Sequence, residues 1–219
     1  MLRLESSRVL APLTLAVCLG LAALAAEPAG AADRERNPWF LDGRQAAERA
    51  RERVGDPGRA RNLVLFVGDG MGPSTVTAAR ILEGQLEGDP GEENLLAFEH
   101  FPFTALAKTY NTDQQVPDSA GTMTALMSGV KTRAGVLGVD ESVVPGDHGS
   151  VAASRVPTLL EEAEDRGLAT GIVTTARLTH ATPAACYAHS ASRDWEDDSE
   201  LSPEARKAGF SDIARQLVE

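Results

Sequence analysis

Asn62-Leu63-Val64-Leu65-Phe66-Val67-Gly68-Asp69-Gly70-Met71-Gly72-Pro73 is the stretch from which the fold is read. Its first six residues are β-rich and apolar on both faces, which predicts a strand covered on both sides. The glycines permit a tight turn, and Pro73 suits the first position of a helix. Ligands of open α/β sheets bind outside the carboxyl ends of the strands, and Asp69 falls at such an end. A phosphate cradle made of backbone N–H groups would be disfavoured by a carboxylate in its middle. A divalent cation would be held by it. Asp69 is therefore read as a metal ligand.

Working outward, helices are expected over 45–54, over 73–85, after Asp118-Ser119 to near Gly129, and over 156–166. Strands are expected over 105–110 and 169–174, with a polar loop at 84–93. The alternation predicts an α/β fold, a largely parallel sheet sandwiched between helices. Phe210, Ile213, Ala214, Leu217 and Val218 recur at helical spacing and predict an amphipathic helix over 211–219. Neither a glycine stop nor a strand follows it, so the expectation is a truncated chain whose alternation continues past Glu219. A frayed terminal helix is the plainer alternative.

Residues 1–31 read as a signal peptide: Arg3 and Arg8, an apolar run over 9–26, then Ala29-Gly30-Ala31 as a small-residue cleavage signature. An uncleaved anchor is the competing reading, since the run approaches membrane-spanning length. The Ala-x-Ala placement favours cleavage, leaving no stable membrane span and an exported protein, periplasmic or extracellular. The folded part is then 32–219. The formal net charge of −11 belongs to that part, because two arginines and two glutamates cancel within 1–31. Such an acidic balance argues against a nucleic-acid partner. An anionic substrate would be attracted only locally, by bound cations and a placed arginine. Cys186 is the one cysteine after residue 31, which excludes an internal disulfide and a Cys-x-x-Cys zinc pattern.

Two further motifs bear on chemistry. In Val116-Pro117-Asp118-Ser119-Ala120-Gly121-Thr122, Ser119 is expected at or just before a helix start, where orphan N–H groups and the helix dipole stabilise an alkoxide or an attached phosphoryl group. Taken alone, Asp118 and Ser119 are ordinary N-caps. The third motif follows the strand over 169–174 and contains His180, Thr182, His189 and Arg193. His180 and Thr182 alternate with Ala181 and could face one direction. Arg193 offers a planar fork for two phosphate oxygens. Thr182 capping a turn, His189 satisfied in the core and Arg193 paired with Asp194 are the plain alternatives. Three such groups at strand ends of one sheet favour a site.

The strings N-L-V-L-F-V-G-D-G-M-G, V-P-D-S-A-G-T and H-A-T-P-A-A-C-Y-A-H-S-A-S-R-D-W resemble, in the same order, those of the alkaline phosphatase family. The resemblance runs from about Asn37 to Glu219, and His180 resembles the animal-type branch. It implies phosphate monoester hydrolysis at a site with two Zn2+ and one Mg2+. Asp69 would bridge a zinc and the magnesium, and Ser119, also zinc-bound, would be the nucleophile that becomes phosphoserine. Arg193 would clamp the phosphoryl oxygens, Thr182 would bind magnesium, and His180 would contact it through the outer shell. A homodimer is implied for the full-length protein. The remaining ligands implied, three histidines, two aspartates and a glutamate, belong to the family's second half. His100 and His148 lie in no matching motif and do not replace them. These 219 residues alone are thus expected to be inactive. The alternatives are a phosphodiesterase or sulfatase-like hydrolase of the same superfamily, a non-catalytic fragment, and a Rossmann-type binding domain. Gly68-Asp69-Gly70-Met71-Gly72 disfavours the last, because it lacks the G-x-G-x-x-G spacing and sets a carboxylate against pyrophosphate. The Asp-Ser-Ala setting of Ser119 favours the monoesterase.

Overall fold

The computed structural model describes residues 34–54, 59–101 and 103–219. The leader expected at 1–31 lies outside them. Eight α-helices run through the described residues: α1 Pro38–Val54, α2 Pro73–Glu87, α3 Ser119–Ser128, α4 Val151–Ser154, α5 Leu159–Asp165, α6 Ala181–Ala184, α7 Pro203–Lys207 and α8 Ile213–Gln216. Short 3-10 turns cover Arg34–Arg36, Ala97–His100 and His148–Ser150.

Local chemistry explains where these helices differ from the sequence expectation. α1 begins earlier than residue 45 because Asn37 accepts the backbone N–H of Trp39 (3.0 Å) and Pro38 pre-sets the first turn. α2 begins at Pro73 and runs two residues past 85, into the segment expected as loop. α5 starts at Leu159, not at 156. The reason is that Arg155 bridges Val139 and the N–H of Val156 bonds the Gly138 carbonyl (3.0 Å), which holds both out of the helix. A capping box then opens α5: Thr158 Oγ1 accepts the N–H of Glu161 (3.2 Å) and Glu161 Oε2 accepts that of Thr158 (2.8 Å). The amphipathic helix expected over 211–219 is confined to Ile213–Gln216, capped by Asp212, whose Oδ1 accepts the N–H of Arg215 (2.8 Å). Phe210 lies before that cap and sets its ring edge-on to Trp195, 5.6 Å between centroids.

The expected strands are the main point of difference. Among the described residues there is no β-ladder, only isolated antiparallel bridges at Asn111–Gln114, Leu137–Ser190 and Val139–Arg155. Segments 62–67, 105–110 and 169–174 carry no helix and no strand pairing. Most of their apolar side chains are exposed, Phe66 at 88 % and Val173 fully, while Tyr110 and Ile172 are half-buried. β-propensity describes fitness for a pleated, half-buried surface, and a strand needs a neighbour to take its N–H and C=O groups.

Where the chain is well packed, two apolar clusters meet along the turn 135–139. Leu137 enters the first, with Ala120, Met123 and Met127 of α3, Ala181 and Ala184 of α6, and Ile213 of α8. Val136 and Val139 enter the second, with Val143, Val151, Trp195 and Leu201. Alternation sends Val136 and Leu137 to opposite sides, and the left-handed Gly138 (φ 59) breaks that alternation so that Val139 returns to the side of Val136. α3 and α6 pack closely because their contact is mostly alanine. Gly129 ends α3 at φ 74, and a Cβ there would lie 2.6 Å from Phe40 Cδ2, so α1 docks on that turn only because it is glycine.

Glu161 joins α5 to this core. Its Oε1 accepts from His189 Nε2 (3.0 Å) and from Arg155. Burial opposes its charge, yet the contact with His189, the Thr158 N–H and Arg155 outweigh it and lower the carboxyl to about 2. Because the folded carboxyl lies below its ordinary 4.5, its contribution is present above that pH and is lost as pH falls through about 2. Glu161→Gln is expected to lessen the stability lost between neutral pH and pH 2 by about 1–3 kcal/mol, read from denaturant midpoints across that range. An unaltered acid limb would contradict the assignment.

Candidate active site

Three helix starts converge. The first follows the Gly68–Gly72 turn, where Gly70 takes φ 69 and the N–H of Gly72 bonds the Gly70 carbonyl (3.0 Å). Asp69 is carried on this turn, exposed just ahead of α2. Its Oδ2 accepts a hydrogen bond from Thr182 Oγ1 at 2.6 Å, across 113 residues of sequence. Thr182 is the second residue of α6, and His180 is the N-cap of the same helix. The side chain of Thr182 is thus given to Asp69 rather than to a local cap.

The second start is that of α3. Asp118 is its N-cap, with Oδ1 accepting the N–H of Gly121 (3.1 Å) and the amide of Asn111 (2.9 Å). Its Oδ2 accepts the N–H of Gly135 (2.9 Å) and Arg193 NH1 (3.1 Å). Ser119, the first residue of the helix, also lies within reach of that guanidinium, 3.4 Å from NH1. Arg193 is held at its backbone by the Gly135 carbonyl, N to O 2.7 Å, and its partner is Asp118, not the adjacent Asp194. Partial burial works against the charge of Asp118. The four donors, Gly121, Asn111, Gly135 and Arg193, outweigh it and hold the carboxyl below its ordinary range.

The third start ties the two together. His180 Nε2 lies 3.4 Å from Arg193 NH2. A guanidinium only donates, so this contact is favourable when Nε2 is the unprotonated nitrogen; Nδ1, buried and without a partner among the described residues, then carries the hydrogen. Among the described residues, Nε of Arg193 finds no acceptor. The arrangement leaves a partly engaged guanidinium facing a hydroxyl at a helix N-terminus, where an oxyanion is stabilised.

Asp69, Ser119, Thr182, His180 and Arg193 are therefore linked through Asp69–Thr182, the shared first turn of α6, and His180–Arg193–Ser119. His148 is elsewhere, edge-on to Phe210 at 6.1 Å. Read from sequence, Asp118 is only a cap; its bond to Arg193 shows a second role. The available signal was stoichiometric, because a capping aspartate uses one oxygen and leaves another beside Ser119. For metals, Asp69 and Thr182 present two hard oxygens of the kind magnesium takes. Among the described residues no group of three or more His, Cys, Asp or Glu side chains is placed to hold an ion.

A family model described as alkaline phosphatase matches residues 60–219. The tissue-nonspecific alkaline phosphatase of Gallus gallus is 51% identical over 191 residues, covering 85% of this chain and 37% of its own length. That of Homo sapiens is 54% identical over 159 residues, covering 73% and 30%. Among solved structures, a cold-active alkaline phosphatase from Shewanella sp. aligns at 34% identity and TM-score 0.48, covering 58% of this chain and 29% of that one. The chain spans about a third of the length of the curated relatives it matches.

Removing the carboxylate at the centre of this network strands its donors. Asp118→Ala is expected to cost about 2–4 kcal/mol in denaturant unfolding, more than loss of a helix cap alone, because a partly buried guanidinium loses its counter-charge. A loss of 1 kcal/mol or less would show that the network is not coupled.

Proposed function

Because the chain belongs to the alkaline phosphatase family, we propose that it supplies the nucleophile and the phosphate clamp of a phosphate monoester hydrolase. The observation that carries the proposal is the Arg193 guanidinium, which reaches Asp118 and Ser119 at once, at 3.1 and 3.4 Å. A tetrahedral anion on the free edge of that fork would present its phosphorus to Ser119 Oγ. In the first step the Ser119 oxygen displaces the ester oxygen, giving phosphoserine and an alcohol that leaves with the serine proton. In the second, water displaces Ser119, restoring the hydroxyl and releasing inorganic phosphate. Arg193 holds the non-bridging oxygens in both steps, and the N-terminus of α3 stabilises the negative charge on Ser119.

The proposal includes two Zn2+ and one Mg2+. Asp69 and Thr182 would hold the magnesium, and Asp69 and Ser119 would contribute to the zinc positions. When bound, such cations neutralise charge on the attacking and leaving oxygens. His180 would orient the outer edge of Arg193 beside the magnesium. The proposal also takes the αβα sheet, with 62–67, 105–110 and 169–174 as its strands; their apolar, β-rich composition supports this. Export through 1–31 and a homodimer complete the reading. No helix among the described residues is long and apolar enough to cross a membrane.

The gene product, purified with zinc and magnesium and quenched in acid during turnover of an aryl phosphate, is expected to carry one phosphoryl group on the peptide containing Ser119. Ser119→Ala is expected to abolish that label and to lower turnover by roughly 10⁴-fold or more. Turnover that survives the substitution, or a label on another residue, would refute the proposal.

A further inference from the structure

Among the buried titratable side chains that this chemistry leaves unused is His189. His189 is 4 % exposed, with Nδ1 2.6 Å from the Gly138 carbonyl oxygen and Nε2 3.0 Å from Glu161 Oε1. Both neighbours are acceptors. A neutral imidazole carries one N–H, so one of these contacts would set lone pair against lone pair; only the imidazolium donates to both. The charged groups on this side are Glu161 and, bonded to the same carboxylate oxygen, Arg155. From α8, Gln216 faces His189 with a neutral amide that accepts its backbone N–H (2.9 Å) and donates to its carbonyl (3.1 Å).

The two acceptors belong to the elements that frame the phosphate clamp. Gly138 lies on the turn whose Gly135 N–H bonds Asp118 and whose Gly135 carbonyl holds the Arg193 N–H. Between these points Leu137 and Ser190 pair in both directions, at 3.0 and 2.8 Å. The approach of His189 is tight: at Gly138, φ 59, a Cβ would lie 2.6 Å from Nδ1 and 2.4 Å from the Ala188 carbonyl oxygen. Glu161 adds the start of α5 on the other side.

We propose that His189 is a positioning residue, held as an imidazolium, which fastens segment 186–193 to the turn 135–138 and to α5 and so sets where Arg193 meets Asp118 and Ser119. This rests on the reading of Arg193 as the phosphate clamp. The charge on the ring matters because it makes both bonds donating and charge-assisted, and such bonds are stronger and shorter than neutral ones.

The test uses the gene product with 15N-labelled imidazole, with His189→Gln and Glu161→Gln as variants. Gln at position 161 can still accept the Thr158 N–H and retains the helix cap, so this second variant is expected to fold even if the first does not. In the unsubstituted protein both ring nitrogens of His189 are expected to carry hydrogen at neutral pH; a singly protonated ring would overturn the proposal. Exchange of the Arg193 backbone N–H is expected to quicken by roughly 10-fold or more in a folded variant. It is expected to change less in Val143→Ala, a core truncation in the second apolar cluster that lowers stability without removing a hydrogen bond of the clamp. Equal quickening in all variants would make His189 a general stabiliser and overturn the proposal. With zinc and magnesium present, KM for an aryl phosphate and the inhibition constant of inorganic phosphate are expected to rise roughly 10- to 100-fold, with a smaller fall in kcat. Unchanged values in folded variants would overturn it. A gene product that hydrolyses no phosphate ester defeats the phosphatase reading instead, and the ring protonation and exchange data then decide the placement of Arg193.

Discussion

The carboxylate of Asp118 is the interaction on which the rest of the site depends. A carboxylate offers about four lone-pair positions, and here they are taken by the Asn111 amide, the N–H groups of Gly121 and Gly135, and the Arg193 guanidinium. Three of these donors come from outside α3, so one side chain gathers the loop at 111, the turn at 135 and the segment ending at 193. Partial burial of a charge is unfavourable by itself, and four hydrogen bonds reverse the sign. The geometric consequence is direct. One oxygen caps the helix that begins with Ser119 and the other holds Arg193, so hydroxyl and guanidinium are set relative to each other through a single rigid group.

Packing behind the site brings the other half within reach. Ala120 on α3 faces Ala181, Ala184 and Ala185 around α6, where larger side chains would separate the two helices. With the backbones close, α3 starts at Ser119 and α6 at Ala181 on the same side, and Thr182 extends to Asp69. Gly121 shows how little room remains: a Cβ there would lie 2.5 Å from Asn111 Oδ1 and 2.9 Å from the Arg133 carbonyl oxygen. The small residues of Ser-Ala-Gly-Thr are therefore steric requirements of the same contact that Asp118 makes polar.

Much of this was legible in the sequence, and unevenly. The starts of α2 and α3 follow from Pro73 and Asp118, because caps and proline act within a few residues and leave a local signature. The turn bearing Asp69 was readable for the same reason. Segments 62–67, 105–110 and 169–174 were read as strands from composition, and composition does not say what lies alongside them; among the described residues nothing pairs with them. The late start of α5 was hidden because Arg155 and Val156 bond to Val139 and Gly138, residues distant in sequence. Arg193 was legible as a fork but not its partner, since Asp118 lies 75 residues away. His189 is satisfied in the core, the plain reading, yet the identity of its two acceptors is tertiary information.

A formal charge of −11 bears on how such a site could hold an anion at all. Charges more than about 8–10 Å away are largely screened at physiological ionic strength, so the acidic surface mainly slows the approach of an anion rather than setting its affinity once bound. Close to the site the balance is different. Arg193 is only partly neutralised by Asp118 because Nε, among the described residues, has no acceptor, while the first N–H groups of α3 point the same way. Asp69 opposes this, standing unsatisfied by any positive side chain and bonded only to a neutral hydroxyl among the described residues. A site that held its anion with Arg193 alone would have no reason to keep that carboxylate near. In the proposed reaction a cation held by Asp69 would offset that repulsion and favour the anion.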